Sequence, residues 1–585
     1  MPLYKKGDVN DVNNYRGISL SDISGKLYGS IINQRLHKWV EVNDLTGEHQ
    51  AGFKRDHSTV DHIFTLLATI QKQFINDKKL YVAFIDFEKA FDSISRNLIW
   101  PILRKNGIRG KMLKCVKSMY NVVKAKVRSG AKLTDLSIQC TKGVKQGDVC
   151  SPILFSLFVN ELALDIIKGG RHGVTIDLIE LFILLFADDL VLLSTTIVGL
   201  QTQLRNLHMS AERLDLRVNM AKTKVVVFRK GGYLGARERW FYGGESVEVV
   251  NAYKYLGIYF STRLSFTVAC RDLVARAKNA VIRILKILYK FENNSVNVFF
   301  KLFDAQVQPI FQYGAEIWGL DKCNDIEKVH IFAMKRFLQV STITPNDIVY
   351  GELGRYPVYI NSYLSCIRYW LKIINMDDKR LPKKCYKMLV EYDNKGKVNW
   401  VTNIRRFLCN HGYLYVWNNQ SVGDINAFLK CLKQRLVDCR WQDWHSHIHE
   451  SDRFSLYRLF KTSNCVENHL FLNVNKYITN ALIKFRCGVS CINVHYKRFQ
   501  KNFDYKCRLC NIENEDEIHV LLVCPNLADI RTQFLGEYYQ NSPSQDKMLG
   551  LLKSKNESIL KNLSIFIYFA LKRYEDTDDA NRPQL

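Results

Sequence analysis

Two adjacent carboxylates, Asp188 and Asp189, interrupt the apolar run Leu181-Phe-Ile-Leu-Leu-Phe-Ala-Asp-Asp-Leu-Val-Leu-Leu193. Burying an uncompensated ion costs several kcal/mol per charge, so few arrangements tolerate both. The least costly one places the pair at the tip of a tight hairpin between two buried strands, with a divalent cation in front. A third carboxylate is then needed nearby. The segment Leu80-Tyr-Val-Ala-Phe-Ile-Asp-Phe-Glu-Lys-Ala-Phe-Asp92 supplies one, because Asp86 ends a second apolar strand and a helical stretch follows. Three carboxylates on neighbouring strand ends can hold two Mg²⁺ ions about 3.5 to 4 Å apart, the arrangement that serves in-line phosphoryl displacement. Asp is also ordinary turn chemistry; the company of Asp86 is what favours the metal reading.

At 585 residues the chain is too long for one compact core, and about three or four domains are expected. Its 84 Lys and Arg against 57 Asp and Glu leave a net charge of +27. That balance suits a polyanionic partner, since each neutralised phosphate releases counterions. The 16 cysteines are scattered, and no apolar leader follows Met1-Pro-Leu-Tyr-Lys-Lys, so reduced thiols and an intracellular protein are expected. The longest apolar run is broken by the Asp pair and none reaches the roughly 18 to 20 residues of a membrane span, so no membrane role is expected.

Residues 1 to about 260 mix short β-type runs with helices, an α+β pattern. Leu200, Leu204, Leu207, Ala211 and Leu214 recur at helical spacing, Val225-Val-Val-Phe228 reads as a strand, and Tyr253-Lys-Tyr-Leu-Gly-Ile-Tyr-Phe260 as another. From about residue 265 the chain turns helical and basic, with an apolar stripe at Leu273, Ala277, Val281, Ile284 and Leu288. Residues 346–500 are rich in Trp, Tyr and Arg and suggest no chemistry; His445, His447 and His449 lack a fourth ligand. The end, Glu575 to Leu585, reads as a solvated tail. A second constellation is Cys507, Cys510, His519 and Cys524. Three thiolates and one imidazole at this spacing make a closed tetrahedral site for one structural Zn²⁺, with Lys506 and Arg508 as basic neighbours that would help it grip nucleic acid.

Around the Asp motifs lie Asn14-Tyr-Arg-Gly-Ile-Ser-Leu20, Gln50-Ala-Gly-Phe-Lys-Arg-Asp-His-Ser-Thr59, Gly143-Val-Lys-Gln-Gly-Asp-Val-Cys-Ser-Pro-Ile-Leu-Phe155, Phe186-Ala-Asp-Asp-Leu190, Lys222-Thr-Lys224 and Tyr255-Leu-Gly-Ile258. In this order they resemble the successive blocks of a reverse transcriptase, most closely the non-LTR, LINE-type retrotransposon class and its jockey-like members. The resemblance implies a right-hand polymerase fold with an antiparallel palm sheet: fingers and palm over 1–261 and a helical thumb over 262–345. A helical connection over 346–500, a CCHC zinc knuckle over 501–530 and a C-terminal helix and tail over 531–585 complete the expected division. It implies an RNA template, a DNA primer or target, deoxynucleoside triphosphates and a nuclear site of action. Two departures stand out: Gly17 occupies a position usually held by Pro, and the sequence starts just upstream of the first fingers block, so no endonuclease is expected.

By the same resemblance Asp86, Asp188 and Asp189 hold two Mg²⁺ ions, with the Phe87 carbonyl as a further oxygen ligand. Phe91 lies where reverse transcriptases place a ring beneath the nucleotide sugar, to collide with a 2′-hydroxyl. Gln146 contacts template or nucleotide, and Gly147 lets the backbone approach the nascent pair because no Cβ intervenes. Ser151-Pro152 starts a helix from Ile153 to Ile167. Arg16, Lys54 and Arg55 are the candidates for the triphosphate, and Lys222 for protonating the leaving pyrophosphate. Two other readings compete: a catalytically inactive nucleic-acid-binding remnant of such an element, and an RNA-directed RNA polymerase, whose hairpin usually reads Gly-Asp-Asp.

Overall fold

Strand β1 (Leu80–Ile85) is buried along its whole length, which is why its apolar run does not alternate. Tyr81, Ala83 and Ile85 face one core, while Phe84 on the opposite face stacks on Tyr253 at 4.4 Å between ring centroids. β1 lies inside a six-stranded sheet with β2 (Ile183–Phe186), β3 (Asp189–Ser194), β4 (Lys224–Phe228), β5 (Trp240–Tyr242) and β6 (Glu245–Val249), in the order β2-β3-β1-β4-β6-β5. Every pair is antiparallel except β4 with β6, which is parallel, so the expected purely antiparallel sheet is corrected at that edge. This computed structural model describes residues 1–585 apart from 6, 131, 169–171, 293–294, 322, 498–504 and 579–585.

The helices beside the sheet are α1 (Thr59–Ile75), α2 (Ser151–Lys168) and α3 (Ile197–Arg213). Thr196 caps α3 by accepting from the Gly199 amide at 3.0 Å, and Leu200, Leu204, Leu207 and Ala211 bury the predicted stripe. α2 begins at Ser151, two residues before the expected Ile153 start, so Ser151 is its first residue, and it is apolar enough to be buried on most sides. The single strand predicted over 253–260 is instead a hairpin, β7 (Ala252–Tyr255) and β8 (Ile258–Ser261). Leu256 and Gly257 both have positive φ, 44° and 87°, which folds the run back on itself as a two-residue hairpin turn.

The chain forms two compact units, and they do not follow linear order. The first is Met1–Ala269 with Tyr369–Ser421; the second is Cys270–Arg368 with Val422–Leu585. The stretch 346–500, read as one connection, therefore contributes to both. In the first unit, α4 (Leu381–Asn394) packs on α1. The second unit is built of helices, including Asn324–Leu338, Ile425–Glu450 and α5 (Glu557–Asp578). Glu575 to Asp578 close α5 rather than opening a tail, and the rest of the predicted tail, 579–585, lies outside the described residues. No helix among the described residues is long and apolar enough to cross a membrane.

Candidate active site and metal centre

The β2–β3 register pairs Phe186 with Asp189, so Ala187 and Asp188 form a two-residue turn. Ala187 takes the left-handed φ of 57° that such turns require. The β1–β3 register pairs Ile85 with Leu190, so Asp86 and Asp189 are the next residues along the two neighbouring strands. The first carboxylate is thus brought to the same sheet end as the pair. Asp86 is fixed by its backbone: its amide donates to Thr223 Oγ1 at 3.3 Å and its carbonyl accepts from the Asn219 amide at 2.7 Å. Phe87 bridges Val218 through the flanking Asp86 and Glu88 groups, which leaves the Phe87 carbonyl directed away from that partner.

The electrostatics confirm the gathering. Burial, followed by repulsion from Asp188 and Asp86, pushes the Asp189 carboxyl up to about 6, against the opposing pull of Lys222. Lys222 Nζ pairs with Asp86 Oδ2 at 3.0 Å. A protonated carboxyl is a far weaker ligand than a carboxylate, so for a Mg²⁺ ion held by these groups the concentration giving half-maximal activity should rise as pH falls through about 6. The sign for stability is opposite in sense. With its folded pKa raised, Asp189 in the native state still holds a proton that the unfolded chain has lost, so its contribution to stability declines between about pH 4 and pH 6. Mg²⁺ titrations of activity from acid to neutral pH check the first statement; a pH-independent half-saturation would contradict it.

A cleft of about 810 Å³ opens in front of these groups, lined by Asp86, Phe87, Phe91, Gln146, Gly147, Asp188, Lys222 and Arg16, among others. Phe91 stacks on the buried ring of Phe155 at 4.1 Å and 7°, and meets Phe53 edge-on at 6.1 Å. Gln146 Nε2 donates to Asp92 at 2.9 Å, and its carbonyl accepts from the Ser19 amide at 2.7 Å. Gly147 has φ 98°, and a Cβ there would lie 2.8 Å from the Ser19 carbonyl, so this glycine is also required by the chain's own packing. Gly17, in contrast, has open space where a Cβ would stand, and the departure from Pro costs no packing.

Lys54 and Arg55 are not in the cleft. They line a smaller cavity of about 150 Å³ that shares Phe53 with it. There Lys54 Nζ serves the Thr46 carbonyl and Glu48, and Arg55 lies 3.6 Å from Glu41. Lys5 is a cleft cation that lies outside the quoted motifs, whereas Lys89 and Lys145, which also line the cleft, lie within them. Lys5 lies close enough to Arg16, Lys222, Asp92 and Asp188 to feel their charges. The Lys-Lys pair before the first fingers block was its only sequence signal.

In the second unit Cys507, Cys510, His519 and Cys524 come together, with one ligand atom of each within 4.8 Å of all the others. Among the described residues this is the one such His, Cys, Asp and Glu group; the three aspartates, which repel one another, do not meet that spacing. Cys507 Sγ is 3.8 Å from Cys524 Sγ, and Zn–S bonds of about 2.3 Å give a tetrahedral edge of roughly 3.8 Å. His519 Nδ1 lies 3.1 Å from Glu513, which orients the ring so that Nε2 faces the thiols, 3.4 Å from Cys510 Sγ. The cluster is compatible with zinc. Arg508 is committed to Glu515 at 2.7 Å and to the Cys491 carbonyl at 2.6 Å, so it serves packing around the centre.

Residues 4–260 match the family described as reverse transcriptase (RNA-dependent DNA polymerase). The chain is 25% identical to the probable RNA-directed DNA polymerase from transposon BS of Drosophila melanogaster, over 54% of this chain and 35% of that protein. It is 26% identical to the Pol polyprotein of the type-1 retrotransposable element R2 of Popillia japonica, over 60% and 48% respectively, and 25% identical to the polymerase from mobile element jockey of Drosophila melanogaster, over 58% and 37%. These relatives are named as polymerases or Pol polyproteins of transposable elements. The chain spans between about a third and a half of the length of these relatives.

Proposed function

We propose that this chain is an RNA-directed DNA polymerase that adds deoxynucleotides to a primer 3′-hydroxyl on an RNA template. The observation that carries the proposal is the convergence of Asp86 with Asp188 and Asp189 at one end of the sheet, where Asp86 and Asp188 line the cleft. Asp189 is held high by burial and then by its acidic neighbours, and hard oxygen donors in mutual repulsion are a fitting set for divalent cations. Asp86, Asp188, Asp189 and the Phe87 carbonyl would hold two Mg²⁺ ions. When bound, these supply Lewis acidity at the attacking hydroxyl and at the leaving pyrophosphate.

The chain's own residues do the rest. Arg16 and Lys5 offer positive charge to the triphosphate inside the cleft. Lys222 Nζ carries the proton that the leaving pyrophosphate takes up, a role worth about 10² to 10⁴ in rate. Gln146, tethered to Asp92, presents its block to the template or the incoming nucleotide. Phe91 cannot retreat from a 2′-hydroxyl because its ring is backed by Phe155. In the second unit, Cys507, Cys510, His519 and Cys524 hold one structural Zn²⁺.

Primer extension on a defined RNA template with Mg²⁺ and deoxynucleotides tests the reading, and failure of the wild-type chain to extend any primer overturns it. Phe91→Ala should raise ribonucleotide use by about 10-fold or more, because the relieved clash is worth upwards of about 1.4 kcal/mol. An unchanged ratio of ribonucleotide to deoxynucleotide incorporation would remove the sugar role from Phe91. The inactive-remnant reading is not favoured, since all three carboxylates are present and gathered.

A further inference from the structure

The Asp-Asp hairpin is backed by the segment from Glu48 to Asp61. The Leu185 amide donates to the His49 carbonyl at 2.7 Å, and the Ala51 amide donates to the Leu185 carbonyl at 2.9 Å, so this segment meets β2 in one parallel bridge between Gln50 and Leu185. A Cβ on Gly52 would lie 2.2 Å from the Ala187 amide nitrogen. The segment and the turn that carries Asp188 are therefore in direct backbone contact. Any shift of one displaces the other.

What fixes the segment comes from far along the chain. Arg380, at the start of α4, spends all three guanidinium nitrogens on it: Nε on Glu48 at 3.1 Å, Nη1 on the Asp56 carbonyl at 3.1 Å and Nη2 on Asp61 at 3.0 Å. The Leu381 amide adds a bond to Glu48 at 3.3 Å. Asp61 is 1% exposed and Arg380 13%, so these are not solvated surface pairs. A planar fork that meets three acceptors in fixed directions sets position as well as charge, which a lysine cannot reproduce. Lys372 and the Tyr369 hydroxyl also reach Asp61, both at 3.2 Å, so the carboxylate keeps partners if Arg380 is lost.

We propose that Arg380 is a positioning residue for the catalytic hairpin, acting through the Glu48–Asp61 segment on the Ala187–Asp188 turn. This gives part of the helical region after residue 346 a task in nucleotide transfer. It rests on the reading of Asp86, Asp188 and Asp189 as the catalytic site. Chemistry that depends on ligand placement is sensitive to such support: a misplacement near 1 Å from a remote substitution costs up to about 100-fold.

The test uses the full chain with two variants. Arg380→Met combined with Asp61→Asn removes the guanidinium together with the charge of the buried carboxylate it pairs with, and Arg380→Lys keeps one charge but not the fork. In both, hydrogen exchange at the Leu185 amide should accelerate. The double variant should lose about 10- to 100-fold in kcat and need more Mg²⁺ for half-maximal rate, with KM for the nucleotide within about 2-fold of wild type. Arg380→Lys should fall between it and wild type. Wild-type exchange at Leu185, or wild-type kcat and Mg²⁺ dependence, overturns the proposal; if the double variant does not fold, Arg380→Lys decides by the same two readouts. Asp188→Ala, run alongside, should lose extension and keep Leu185 protected. Should it extend primers like wild type, the catalytic reading fails instead, and exchange at Leu185 alone decides whether Arg380 holds the hairpin.

Discussion

Asp188→Ala should abolish primer extension, lowering the single-turnover rate by about 10³-fold or more while leaving the protein folded. The size follows from the several kcal/mol of transition-state charge stabilisation that a lost metal ligand removes. The fold should survive for local reasons. Asp188 occupies the second position of the β2–β3 turn, where its own φ is not left-handed, and the strained position belongs to Ala187. The substitution also removes one of the two carboxylates that push Asp189 up, so the melting temperature should stay level or rise slightly. A stable variant without activity separates the site from the scaffold, whereas extension within about 3-fold of wild type would mean that the chemistry lies elsewhere.

How far the site was legible in the sequence depends on where the partners lie. The hairpin was legible because two charges inside an apolar run admit few solutions, and Asp86 because it ends another such run. Phe91, Gln146 and Gly147 follow from the resemblance of their blocks to those of reverse transcriptases, and all three line the cleft. Lys54 and Arg55 read as equivalent to Arg16, yet each pairs with a nearby carboxylate, Glu48 or Glu41, outside the cleft. A cation's destination is decided by whichever acidic group folds beside it, and periodicity does not encode that. Asp92 was passed over because its partner Gln146 is 54 residues away. The same distance effect hid the brace: Glu48 and Arg380 are 332 residues apart. A signal did exist, since Asp61 stands among Val60, Ile63 and Phe64 in the apolar part of α1 much as Asp188 and Asp189 stand in theirs. The 253–260 hairpin was hidden by its apolar content, although Leu256-Gly257 carried a turn residue at its centre.

Removal of the zinc proposed at Cys507, Cys510, His519 and Cys524 should cause the other large effect, and it should appear as unfolding. Cys507 and Cys524 are fully buried and His519 nearly so, so withdrawal of a cation leaves three thiols and an imidazole packed together with nothing to balance them. The loss should spread beyond the ligands. Glu515, also fully buried, accepts from the Asn493 amide at 2.8 Å and from Arg508, and the Tyr574 hydroxyl of α5 lies 3.4 Å from Cys507 Sγ. The centre thus ties α5 to the turn before Cys510. Structural zinc contributes about 10 to 16 kcal/mol of apparent binding energy in small zinc-dependent folds, so even partial coupling exceeds what one helix contact supplies. Chelation, or Cys507→Ser, should lower the melting temperature of the second unit by many degrees and expose the α5 amides to exchange, while Cys431→Ser, at an exposed thiol, should do neither. One equivalent of zinc in the purified protein, lost in Cys507→Ser, would accompany the change. A Cys507→Ser protein that melts like wild type and carries the same metal content would show that these four residues form a packed thiol cluster and no zinc centre.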